Sequence, residues 1–175
     1  MFSPGVLYAD DLGLRKLGNG FGLPSFSTVS LIQVLAEESV LPANERDRLL
    51  VSLAERHYNV IEVSPEMLIE AVAPGRPLQT TGEVFSLLAA PTMDVQTSAR
   101  TLVRAVKTVA LQDVKTTTVG RVVRHGLAMA LSFQPQMVAQ AVARAANTEL
   151  ALLPRELQIV RAACVESLKS RGLRP

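Results

Sequence analysis

The chain has 175 residues, of which 48% are hydrophobic and 19% charged. That is enough apolar material for one ordinary domain or two small ones, and it excludes a disordered chain. A single cysteine, Cys164, excludes an internal disulfide and a cysteine-built zinc cluster. With no signal peptide at the start, the expectation is a protein of the reducing cytoplasm. The apolar runs are shorter than the roughly 20 residues a bilayer requires, so no membrane span is expected. The net charge of +2 hides an asymmetry: residues 1–75 carry 5 Lys+Arg against 10 Asp+Glu, and residues 76–175 carry 13 against 6. Such a split indicates two units with different surroundings.

The first part of the chain alternates. Residues 6–9 form a short apolar run that predicts a strand, and residues 11–19 predict a helix with Asp10 or Asp11 as its N-cap. Asn19, Gly20 and Gly22 end that helix, and residues 23–26 predict a second strand. Pro24 confines this strand to a start or an edge. Ser27 or Thr28 caps a helix running to about residue 39, with Leu31, Ile32, Val34 and Leu35 on a broad apolar face. Another helix is expected over residues 43–57. Val60, Ile61, Glu62 and Val63 read as a third strand, and Ser64, Pro65 and Glu66 as a helix start with proline at its first position. Strands alternating with helices imply a parallel sheet with right-handed crossovers.

Two prolines and a glycine within residues 73–77 cannot continue a helix, which sets the expected domain boundary there. Beyond it only helices are predicted, over residues 81–90, 95–114, 118–132, 135–147 and 154–170. Leu102, Val103, Val106, Val109 and Ala110 recur at helical spacing, as do Val119, Val122, Val123, Leu127, Ala130 and Leu131. The expected fold class is therefore α/β, a small three-stranded parallel sheet within residues 1–75, followed by an all-α domain over residues 76–175, with helix predominating.

The chemistry centres on Asp10 and Asp11. A buried strand that ends in acids delivers them to its C-terminal end, where open α/β sheets place their sites. Paired carboxylates there suit a hard cation such as Mg²⁺. The bland reading is that one of them caps a helix, which explains a single acid better than a repelling pair. Gly18, Gly20 and Gly22 follow a helix rather than a strand, which is the wrong place for a phosphate loop. His57 and His125 are isolated, and Arg15 is spaced to pair with Asp11 on one helix face.

Residues 6–72 resemble the C-terminal half of a PIN domain, the nuclease-like α/β fold. The resemblance rests on the strand ending in Tyr8, Ala9, Asp10 and Asp11 with the helical Leu12–Leu17 run after it. It rests also on the segment from Phe21 to Thr28, where the family has a short strand closing in a Gly/Ser-Thr pair, and on the helix that follows. It implies that Asp10, with Asp11 beside it, would be a catalytic ligand for Mg²⁺ or Mn²⁺, and that Thr28 would sit next to the metal. It also implies RNA phosphodiester hydrolysis by a metal-activated water. The family's other acids come from a first strand and a central helix that precede the Asp-Asp strand. Only nine residues precede Asp10 here, so those acids have no counterpart. The resemblance therefore implies the rear half of such a domain, truncated at its start or completed by another chain, and inactive alone. A partner chain or a homo-oligomer completing the sheet is expected.

Two further readings stand beside this one. The chain could be a non-enzymatic helical interaction or regulatory protein in which Asp10 and Asp11 only cap. It could instead bind RNA without chemistry through Arg100, Arg104, Lys107, Lys115, Arg121 and Arg124, which lie off the apolar stripes. Against a single-strand platform, the second half has only Phe85 and Phe133 as aromatics for stacking.

Overall fold

The structure, a computed structural model, describes residues 5–58, 61–90, 93–112, 116–132 and 134–174. The chain forms two compact units, Met1–Leu50 and Val51–Pro175.

The first unit opens with β1 (Leu7–Tyr8), α1 (Leu12–Gly20), β2 (Ser25–Phe26) and α2 (Thr28–Glu37). The two strands are parallel, with Leu7 opposite Ser25 and Tyr8 opposite Phe26. The Tyr8 and Phe26 rings lie 5.2 Å apart and tilted. The expected strands at residues 6–9 and 23–26 are thus present but shorter, each a two-residue ladder. The crossover is tight because Gly18 lets α1 lie against β1: a Cβ there would stand 2.7 Å from Leu7 Cδ2. Few apolar side chains are buried in this unit, namely Ala9, Val29, Ile32 and Leu50.

The division between the units falls inside α3 (Ala43–Ala54). The second unit continues with α4 (Pro65–Ala71) and α5 (Leu78–Ser86), the latter running into a 3-10 turn at Leu87–Ala89. It ends with α6 (Val95–Leu111), α7 (Thr116–Ala130), α8 (Pro135–Glu149) and α9 (Pro154–Lys169). Helix α6 is the hub, packing against α4, α7, α8 and α9. Its Leu102, Val103, Ala105, Val106 and Val109 are buried, as are Met67, Leu68, Phe85, Leu127, Leu131 and Val142 of the same unit. The helical stripes of the sequence form this core, as the 3.6-residue period requires.

Local signals fix the helix starts. Ser64 caps α4 by accepting from Met67 N at 3.1 Å, with Pro65 at the first position. Asp94 caps α6 by accepting from Gln96 N and Thr97 N at 2.9 and 3.0 Å. The Thr97 hydroxyl and N–H bonds hold the Asp94 carboxyl below its ordinary range, with the Gln96 N–H adding to them against a small desolvation.

The third strand is not formed among the described residues. The sheet has two strands, and Ile61, Glu62 and Val63 belong to none; Asn59 and Val60 lie outside the described residues. Ile61 and Val63 are buried while Glu62 is exposed, so the alternation in the sequence is real. It reflects burial in a helical unit, not a ladder, because a strand exists only where a second backbone offers hydrogen bonds. The proline-glycine segment at residues 73–77 is a turn inside the second unit. It joins α4 to α5, which pack on each other, and Gly75 takes the left-handed φ of +86° there. Among the described residues no helix is long and apolar enough to cross a membrane.

Candidate functional site

Asp10 and Thr28 are brought together by the parallel pairing of β1 and β2. Ala9 N donates to Phe26 O at 3.0 Å at the end of the ladder, which sets the two residues that follow side by side. The Asp10 carboxylate then accepts the Thr28 N–H at 2.7 Å on Oδ1 and the Thr28 hydroxyl at 2.9 Å on Oδ2. The Tyr8 hydroxyl lies 3.1 Å from Asp10 Oδ2 and 2.6 Å from Thr28 Oγ1. Tyr8 precedes Asp10 by two positions, so strand alternation places both side chains on the same face. The sequence carried that signal, yet Tyr8 was not among the expected site residues.

Thr28 is the first residue of α2, whose N-cap is Ser27. Ser27 Oγ accepts from Ser30 N at 3.2 Å, so Ser27 and Asp10 together satisfy two N–H groups that the helix itself leaves open. A carboxylate at that end is also favoured by the helix dipole. Asp11 turns to another helix. It is the N-cap of α1, and its Oδ1 accepts from Leu14 N at 2.7 Å. The two adjacent acids therefore serve two helix starts. Arg15 makes no pair with Asp11; its Nε is buried without a hydrogen-bond partner.

The geometry offers Mg²⁺ or Mn²⁺ few protein oxygens. Both oxygens of Asp10 already accept hydrogen bonds, and Asp11 is committed to α1. Among the described residues no group of three or more His, Cys, Asp or Glu side chains converges, so water would supply most of the six oxygens that such a cation takes. The arrangement ties the end of β1 to the start of α2.

The basic residues separate into different surroundings. Arg104 Nε and Lys107 Nζ of α6 both bind Glu149 at the end of α8, at 3.2 and 3.1 Å. These two cations hold the Glu149 carboxyl below its ordinary range, Lys107 most and then Arg104, despite some desolvation. Arg100 is exposed on α6. Arg121 and Arg124 lie on α7 beside His125, whose pKa is lowered by burial first and then by Arg124 and Arg121. The His125 ring lies 6.1 Å from Phe85. Lys115, Val114 and Phe133 lie outside the described residues. His57, at a left-handed φ of +62°, places Nδ1 3.3 Å from Glu83 Oε2. Glu149 was missed by the sequence reading, since nothing near it in the chain points to α6.

Exposed apolar side chains gather on the first unit. Among the described residues 16 large hydrophobic side chains are exposed, and 11 of them lie in Met1–Leu50. Phe21 is 76% exposed and Leu17 58%, and Leu12, Leu14, Val6 and Tyr8 are exposed as well. This concentration is unusual for a unit with so small a core.

Compared with protein families, curated proteins and solved structures, the chain matches none.

Proposed function

We propose that the first unit is a PIN-like, nuclease-related module that works without catalysis, as an association unit closed by a second copy of the chain. The observation that carries the reading is the Asp10–Thr28 pairing at the C-terminal ends of two parallel strands, the juxtaposition the resemblance implies. The acid is spent on a hydrogen-bond network that fastens β1 to α2, which supports a structural use of an ancestral site. Association is supported by the open edges. Among the described residues each strand pairs on one side only, and a two-stranded sheet is marginal in water by itself. An unpaired edge with apolar neighbours is self-complementary about a two-fold axis, so a second copy offers it backbone partners and cover for Leu17 and Phe21. The buried thiol of Cys164 suits a reducing, cytoplasmic setting.

Light scattering across a concentration series tests the association, with a dimer expected and a strict monomer at high concentration refuting it. Thermal melting with millimolar Mn²⁺ tests the non-catalytic part. No rise in melting temperature is expected, and a rise that vanishes in Asp10→Asn would restore the metal site.

A further inference from the structure

We propose that the groove between α8 and α9 is a binding site for a small amphiphilic carboxylate, with the apolar tail in the groove and the head on one of the two arginines that line it, Arg161 or Arg174. The groove has a volume of about 540 Å³, within the range of ordinary small-molecule sites. Its depth comes from the sequence of α8, where Ala139 and Ala143 stand four residues apart on one helical face and leave unfilled the space that larger side chains would take. Opposite them, Cys164 and Leu168 of α9 complete an apolar floor; Ala139, Cys164 and Leu168 are each less than a tenth exposed.

The electrostatics of the groove have one sign. Among the described residues its lining includes Arg161 and Arg174 and no acidic residue. Arg161 donates one Nη2 hydrogen bond to Asn147 Oδ1 at 2.7 Å, which orients the guanidinium and leaves other N–H groups for a ligand. Arg174 has no ion-pair partner among the described residues. Burial pushes the Cys164 thiol up to about 11, so at neutral pH it adds no negative charge and serves as part of the apolar wall. Guanidinium forks match carboxylates in bidentate geometry. An apolar floor with two guanidinium groups, and no acidic side chain among the described lining residues, selects a ligand with an apolar body and an anionic end. This site lies wholly in the second unit and does not depend on the association proposed for the first.

Isothermal titration of the full chain with decanoate, below its aggregation concentration, tests the site, with decylamine and 1-decanol as cationic and neutral controls. Saturable one-to-one binding of decanoate is expected, about tenfold or more weaker in Arg161→Gln/Arg174→Gln, with the controls weaker by a similar factor. The double variant changes exposed side chains, so its melting temperature should match the parent's. A second variant, Ala143→Phe, fills the groove and should abolish binding while both arginines remain. Equal binding of 1-decanol, undiminished binding in the arginine double variant, or no saturable decanoate binding would each overturn the proposal. So would saturable binding of an acidic amphipathic peptide in the absence of decanoate binding.

Discussion

The Asp10 carboxylate receives both the backbone N–H and the hydroxyl of Thr28, at 2.7 and 2.9 Å, across a gap of eighteen residues. This double bond of one side chain to one residue fastens the end of β1 to the first turn of α2. It predicts that Asp10→Ala destabilises the first unit by about 1–2 kcal/mol. Asp10→Asn, which keeps an acceptor oxygen, should cost less. Hydrogen exchange at the Thr28 amide and the β1 amides measures the difference. A metal ligand would behave otherwise, with Asn as damaging as Ala to a cation-dependent melting temperature.

Replacing Leu17 and Phe21 together by lysine should shift the chain toward monomer in light scattering. Both side chains are largely exposed, so stability should change by no more than about 0.5 kcal/mol per site. A loss of association with an unchanged melting temperature separates a docking surface from a core position.

Gly126 of α7 faces Leu102 of α6 so closely that an added Cβ would stand 2.9 Å from Leu102 Cδ2 and closer still to Cδ1. Gly126→Ala should destabilise by about 1–3 kcal/mol through overpacking, offset by up to about 1 kcal/mol of helix propensity. Leu102→Val makes room at the same place, so the double variant should be more stable than the sum of the single losses predicts. Denaturant titration of the four chains of the cycle gives the coupling.

The stability of the second unit should decline in two separate pH windows. His125 has a folded pKa below its ordinary 6.5, through burial first and then Arg124 and Arg121. Between these two values the unfolded chain binds a proton that the folded chain does not. Stability is therefore complete above 6.5 and falls as the pH drops through the folded value. Melting temperatures between pH 8 and pH 5 should show this step, and His125→Gln should remove it. Glu149 and Asp94 also have lowered values, so their contributions are present above the ordinary carboxylate range and disappear in acid, in a lower window that His125→Gln leaves untouched.

Glu149→Gln should have a small effect, under about 1 kcal/mol, because its bonds to Arg104 and Lys107 lie near the surface. The difference between parent and variant should shrink at high salt. The same variant releases two cations on α6. Salt-sensitive RNA binding that strengthens on this substitution would favour a nucleic-acid surface around Arg100, Arg104 and Lys107.

Most helices were legible in the sequence, though α5 begins at Leu78, earlier than the expected residue 81, and has no side-chain cap. Asp11, Ser27, Ser64 and Asp94 each cap the helix that follows, and the Leu/Val stripes of α6 and α7 are the buried ones. These features are local: a cap reaches two or three residues along the chain, and a stripe needs only the helical period. Tertiary structure alone decided the rest. The run through Val63 had strand-like alternation, but a strand needs a partner backbone, and among the described residues Ile61 and Val63 are buried without one. Residues 73–77 turn the chain sharply, and α4 and α5 pack together across that turn. Asp10 and Asp11 are adjacent in sequence and look like a pair. The parallel register of β1 and β2 sends one to Thr28, and α1 takes the other, because helix starts leave N–H groups that the nearest carboxylates satisfy.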